Sequence, residues 1–244
     1  MKLYFIRHGK TPGNEEHRYI GRTDEGLSPA GEAMIRQLGA YMRRLSLPIL
    51  SSVVGAETGA RPGGQARGSA DESLSRVTCP AEKSKGQASD LSDLRIVTSP
   101  MRRCRETAAI LFPEHHFLEM ADLREYDFGR FEYKNYEELK DDPVYADWLE
   151  AGGAKPFPEG EGLDHFKARI CRAFDESLEA IKKSNTKAAV FVVHGGSIMS
   201  ILERYDEQKL GYYDYQRPNG ALLEADWDET YPVVLRNLKT YRED

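Results

Sequence analysis

Cysteine is scarce in this chain: three in 244 residues, at Cys79, Cys104 and Cys171. Their odd number and wide spacing exclude a disulfide framework and give no zinc-cluster pattern, so no metal site is read from them. Long apolar runs are missing too. Stretches such as Ala188-Ala189-Val190-Phe191-Val192-Val193 fall far short of the roughly 18 residues that a membrane helix needs. Positive charge is not in surplus, since 34 Lys and Arg face 40 Asp and Glu for a formal charge of -6. That balance argues against a nucleic-acid partner yet leaves room for a local basic pocket. The apolar run after Met1 stops at Arg7-His8, before a secretory h-region could form, and no small-residue cleavage site follows. The expectation is a soluble cytoplasmic protein without membrane or nucleic-acid partners. A mass of 27.6 kDa suits one α/β domain and is tight for two.

Residues 55–89 differ from the rest. From Gly55 the chain is poor in aromatics and rich in Gly, Ala, Ser and charge, with neither helical nor strand periodicity. Such a segment buries too little apolar surface to offset its ordering entropy. Neither flank alone completes an alternation of strands and helices, so the expectation is a single domain over 1–244 carrying a mobile insertion at 55–89. Elsewhere the pattern alternates. Leu3–Ile6, Arg95–Thr98 and Ala188–Val193 read as buried strands. Ser28-Pro29 and Ser99-Pro100 both read as a serine cap followed by proline at the first helical position. A long amphipathic helix is expected over Gly162–Lys183, with closing strands at Gly220–Trp227 and Val233–Leu238. Strands separated by helices predict an α/β fold, a three-layer sandwich around a mainly parallel sheet.

The three buried strands end alike: Arg7-His8-Gly9, Ser99-Pro100-Met101-Arg102-Arg103, and His194-Gly195-Gly196. In a parallel sheet their carboxyl ends share one edge, where open α/β sheets bind ligands. Singly, each histidine could be a structural hydrogen-bonded residue and each arginine a solvated helix charge. Jointly, chance would have to place His or Arg at the same end of three strands. Cations gathered in an acidic protein call for an anion, and phosphate suits the guanidinium fork.

These residues carry a resemblance. Arg7-His8-Gly9-Lys10-Thr11 with Asn14 resembles the Arg-His-Gly-x-Thr signature of the histidine phosphatase superfamily, the phosphoglycerate mutase-like fold. Further blocks follow in family order: Gly21-x-x-Asp24-x-x-Leu27-Ser28-x-x-Gly31, then Thr98–Ala108, Leu123–Gly129 and Val193–Gly196. The resemblance implies a metal-independent phosphatase of small phosphate monoesters that needs no cofactor. It implies His8 as nucleophile forming a phosphohistidine, and Arg7, Arg103 and His194 as the phosphate pocket. It implies Glu125 as proton donor to the leaving oxygen, with Asn14 and the amides of Gly21 and Gly195 as further phosphate contacts. Family spacing favours Arg103 over Arg102, which is expected at the surface.

Mutases of this family typically carry Glu-Arg-His-Tyr-Gly at the acid, whereas this chain has Glu125-Tyr126-Asp127-Phe128-Gly129. That block is similar to the phosphatase branch, which includes α-ribazole phosphatases. The branch usually continues Gly-x-Trp-Glu-Gly, and Gly129-Arg130-Phe131-Glu132-Tyr133 departs from it, so Tyr133 is expected to reshape the pocket mouth. The alternatives are a mutase-type phosphotransferase and a non-catalytic phospho-ligand binder. Phe128, Phe131 and Tyr136 either stack on a substrate or pack a helical layer. Tyr212, Tyr213 and Tyr215 are candidates for a homodimer contact.

Overall fold

The computed structural model describes residues 1–47, 49, 94–152, 155–184 and 186–241. The expected insertion at 55–89, with Cys79, lies outside the described residues. Among the described residues six strands form one sheet: β1 (Lys2–Arg7), β2 (Leu94–Thr98), β3 (Phe117–Glu119), β4 (Ala188–Val193), β5 (Leu222–Trp227) and β6 (Leu235–Tyr241), in the order β3-β2-β4-β1-β5-β6. The first four in that order run parallel, while β5 is antiparallel to both β1 and β6.

The strands are apolar on both faces because both faces are covered. In β1, Leu3 and Phe5 join one core with Phe191, Phe174 and Ile198, while Tyr4 and Ile6 join another with Ile35, Met42 and Val190. Helices α2 (Pro29–Arg44) and α3 (Arg102–Leu111) cover the second face; α6 (Leu163–Lys182) and α7 (Gly195–Tyr205) cover the first. Each fully buried Leu, Ile or Phe contributes on the order of 2 kcal/mol. Among the described residues the other α-helices are short: α1 (Pro12–Glu15), α4 (Tyr136–Leu139) and α5 (Pro143–Glu150). This is the expected three-layer α/β sandwich.

Local chemistry accounts for the helix starts with one correction. Ser28 caps α2 as its spacing predicts, its hydroxyl accepting from the Gly31 amide at 3.0 Å with Pro29 in the first turn. Ser99-Pro100 does not repeat this. Helix α3 begins two residues later behind Met101, because the Ser99 hydroxyl is engaged with His194 at 2.8 Å and accepts from the Met101 amide. Strand β3 was not expected; it is three residues long and half exposed, too short for an alternating pattern.

The order places β2, β4 and β1 side by side, and the register pairs Arg7 with Val193 and Thr98 with Val192. The His8 amide donates to the Val193 carbonyl and the Ser99 amide to the Val192 carbonyl. The residues following these strands therefore meet at one edge.

Candidate active site

His8 and His194 lie buried at that edge, ring centroids 5.1 Å apart in edge-to-face contact. Their hydrogen bonds select opposite tautomers. The Gly9 carbonyl can only accept, so His8 Nδ1, 2.7 Å away, carries the proton and Nε2 keeps its lone pair. Arg103 Nε donates to His194 Nδ1 at 3.3 Å, so His194 Nε2–H points its proton at the Ser99 hydroxyl. Burial lowers both imidazoles well below the ordinary value of 6.5; the Arg103 and Arg7 charges lower them further. Both rings are neutral at neutral pH.

Arg103 is fully buried despite its charge. Its remaining donors reach the carbonyls of Gly21 and Thr23, each at 2.9 Å. Arg7 donates through Nη1 to the Arg217 carbonyl, while its buried Nε has no hydrogen-bond partner among the described residues. A buried guanidinium donor without an acceptor is costly. Arg102 stays outside, paired with Glu106 at 2.6 Å.

Glu125 approaches from the first face. Its carboxylate accepts from its neighbour's amide, Tyr126, at 3.0 Å and from Gly196, in the first turn of α7, at 3.4 Å. A Cβ at 196 would lie 2.6 Å from the carboxyl and 2.9 Å from the Phe166 ring, so any side chain there would displace Glu125 or the ring. Burial raises the Glu125 carboxyl above its ordinary value, and the two amides with Arg103 and Arg7 offset part of that shift. The neighbouring carboxylates are otherwise engaged. Glu132 accepts from the amides of Gly21, Thr23 and Phe128, and Asp127 from Gly129.

Of the sequence-predicted residues, Arg7, His8, Arg103, Glu125 and His194 converge. Gly195 opens α7, with the Arg7 guanidinium carbon 3.1 Å from where its Cβ would be. Asn14 lies beside the His8 loop, its Oδ1 accepting from Asn219 at 3.2 Å. Gly21 departs from expectation: its amide donates to Glu132 at 2.9 Å, so its carbonyl, not its amide, serves the site by holding Arg103. Tyr133 is also redirected. In a left-handed backbone conformation (φ 60°) it turns to Glu25 and Arg18, and only its amide, bonded to the Tyr19 carbonyl, touches the pocket wall.

Three supporting residues escaped sequence reasoning. Thr107 accepts the Gly9 amide at 3.1 Å. Asn219 donates to the carbonyls of His8 and Gly9. Buried Arg169 clamps the acid loop, donating to the carbonyls of Asp122, Arg124 and Glu125 while paired with Glu161 at 2.7 Å. The sole signal for Arg169 was an arginine on the apolar stripe of α6.

Arg7, Glu125, Gly195 and Gly196 border a cavity of about 290 Å³ whose other walls are mainly aromatic. Packing claims Phe131, which is fully buried, whereas Phe128 faces the cavity and Tyr136 is exposed away from it. Tyr215 is likewise buried, bonded to Asp206 at 2.7 Å, while Tyr212 and Tyr213 line the cavity. No helix of the described residues is long and apolar enough to cross a membrane.

The family model described as histidine phosphatase superfamily, branch 1, matches residues 3–54 and 56–239. The chain is 26% identical over 209 residues to the broad-specificity phosphatase YOR283W of Saccharomyces cerevisiae, covering 83% of this chain and 69% of the yeast protein. It is 29% identical over 226 residues to "Probable phosphatase C1687.21" of Schizosaccharomyces pombe, covering 91% and 82%. An Escherichia coli crystal structure, named a candidate α-ribazole-5′-phosphate phosphatase, shares the fold with a TM-score of 0.68 at 17% identity, covering 100% of this chain and 96% of that one. With a match of this length, the chain belongs to branch 1 of the histidine phosphatase superfamily.

Proposed function

We propose that this protein hydrolyses small phosphate monoesters in two displacements through a phosphohistidine on His8, using no metal. The observation that carries this reading is the neutral His8 imidazole, Nδ1–H held by the Gly9 carbonyl and Nε2 left nucleophilic, beside the guanidinium groups of Arg103 and Arg7. In the first step the Nε2 lone pair forms a bond to phosphorus. The P–O bond to the alcohol breaks, and that oxygen takes the Glu125 proton. In the second, water gives a proton to Glu125 and attacks phosphorus. The P–N bond breaks, its electron pair returns to His8, and inorganic phosphate leaves.

Arg7, whose buried Nε has no hydrogen-bond partner among the described residues, and Arg103 supply fixed donors for phosphoryl oxygens, with the neutral His194 ring packed edge-to-face beside His8. Asn14 and the Gly195 amide, at the positive end of α7, add to them. This preorganised charge stabilises the transition state without the reorganisation that water would require. A raised carboxyl suits Glu125 to donate and then accept within one cycle.

The test is chemical trapping. Incubation with a phosphate monoester and an alkaline quench is expected to yield an acid-labile phosphoenzyme, absent in His8→Ala along with turnover. Substantial turnover by His8→Ala would refute the assignment.

A further inference from the structure

The aromatic wall beside Glu125 has its own geometry. Tyr19 lies 5.2 Å from Phe128, Phe128 5.0 Å from Phe157, and Phe157 4.8 Å from Trp148, nearly stacked. Tyr19 closes the circuit edge-to-face on Trp148 at 6.5 Å. Each ring is thus positioned by two others. Hydrogen bonds fix the outer pair further: Tyr19 Oη pairs with Tyr145 Oη at 2.9 Å, and Trp148 Nε1 donates to the Lys155 carbonyl at 3.0 Å. The rings split by depth. Phe157 is buried, whereas Tyr19, Phe128 and Trp148 keep part of their surface open toward the cavity. A wall needed only for packing would close on itself, as it does around Phe131 and Tyr145.

The cavity's charge is equally telling. Among the described residues lining it, Arg7 is the sole cation and Glu125 the sole anion, and both face the reacting phosphoryl group in the mechanism proposed above. Lys167, whose ammonium lies over the Tyr212 ring of this wall at 4.5 Å, is paired with Glu203 at 2.6 Å. A leaving group bearing a carboxylate or a second phosphate would find no further counter-charge among the described lining residues and would lose its hydration against carbon. A flat, uncharged one would find preset rings and little entropy to lose. The volume, about 290 Å³, sits at the lower end of small-molecule sites and suits one or two rings.

Resting on the phosphatase reading, we propose that the substrates of this site are phosphate monoesters of uncharged, ring-bearing alcohols, with the ring seated against Tyr19, Phe128, Trp148 and Phe157. Phosphonates test this without turnover. The affinity of the full chain for 2-phenylethylphosphonate is compared by calorimetry with that for ethylphosphonate, 2-carboxyethylphosphonate and 2-(trimethylammonio)ethylphosphonate. The phenylethyl compound is expected to bind roughly 30- to 100-fold more tightly than the ethyl one, from the extra apolar area covered. The carboxyethyl compound should gain nothing.

Trp148→Ala and Phe128→Ala should each reduce the phenylethyl-to-ethyl ratio about tenfold. Should either variant fail to fold, Tyr19→Leu, which keeps bulk but removes the ring, reads the same ratio. Equal affinity for phenylethyl and ethyl compounds would overturn the proposal. So would tightest binding of the trimethylammonio compound, which would make the wall a cation cage. Absence of a phosphohistidine would sink the catalytic reading while leaving this ratio readable; a flat ratio with normal phosphohistidine formation would sink only the present one.

Discussion

The division of labour at single residues follows from which atoms are already spent. Glu125, Asp127 and Glu132 are three carboxylates within eight residues. Glu132 holds three backbone amides, Asp127 one and Glu125 two, but of the three Glu125 alone borders the cavity, where burial raises its carboxyl beside the arginines. An alkyl alkoxide needs a proton as it leaves, while nitrophenolate does not. Glu125→Gln is therefore expected to slow phosphoenzyme formation from an alkyl phosphate by about 10²–10³-fold and from nitrophenyl phosphate by less than about tenfold. Single-turnover rates on the two esters check this, and equal losses would move the acid elsewhere.

At the scale of elements, α6 does more than cover the sheet. Arg169 projects from its apolar stripe, and its guanidinium gathers three carbonyls of the 122–125 loop while balancing Glu161. Arg169→Met keeps the apolar stem but leaves Glu161 with His165 alone, at 2.6 Å, and strips the three loop carbonyls of their donor, at a cost of about 1–3 kcal/mol. Thermal unfolding should show that loss. With the loop unpinned, kcat on alkyl phosphates should fall further than on nitrophenyl phosphate. Arg169→Lys, which keeps the charge but loses the planar fork, should lie between. An unchanged substrate ratio in Arg169→Met would show that the clamp is structural only.

For the whole molecule, the site carries a stability cost that depends on pH. His8 and His194 are held neutral by burial and by neighbouring guanidinium charge, but titrate near 6.5 once unfolded. Their contribution is complete above about pH 6.5. It is lost as pH falls below that, because only the unfolded chain takes up the protons, costing about 1.4 kcal/mol per imidazole at one pH unit lower. Glu125 acts oppositely: raised in the fold, it favours folding at low pH and loses that as pH rises through its folded value. The thermal midpoint should therefore fall between pH 7 and 5.5, and the fall should shrink in His8→Asn. An identical slope in both proteins would contradict this. In the proposed mechanism the charge opposite phosphate comes from Arg7 and Arg103, so dialysis against a strong chelator should leave turnover unchanged; loss restored by a divalent ion would refute the proposed chemistry.

Much of this was legible before any coordinate, and it was legible where chemistry is local. Ser28-Pro29 states its own helix start, apolar runs of four to six residues state buried strands, and Arg7-His8-Gly9 and His194-Gly195-Gly196 mark strand ends whatever lies around them. Parallel strands then bring those ends together by topology alone, so the family, the layered fold and the cluster of His and Arg could be read from residue order. What only the tertiary structure decided depends on contacts between residues far apart in sequence. Ser99 has the same Ser-Pro signature as Ser28, yet its hydroxyl serves His194, 95 positions away. The Gly21 amide is taken by Glu132, 111 positions on. Phe128 and Phe131 are three residues apart, and only packing makes one a cavity wall and the other core. A side chain's partners are set by what the fold delivers within hydrogen-bond reach, and no periodicity or motif along the chain encodes that distance.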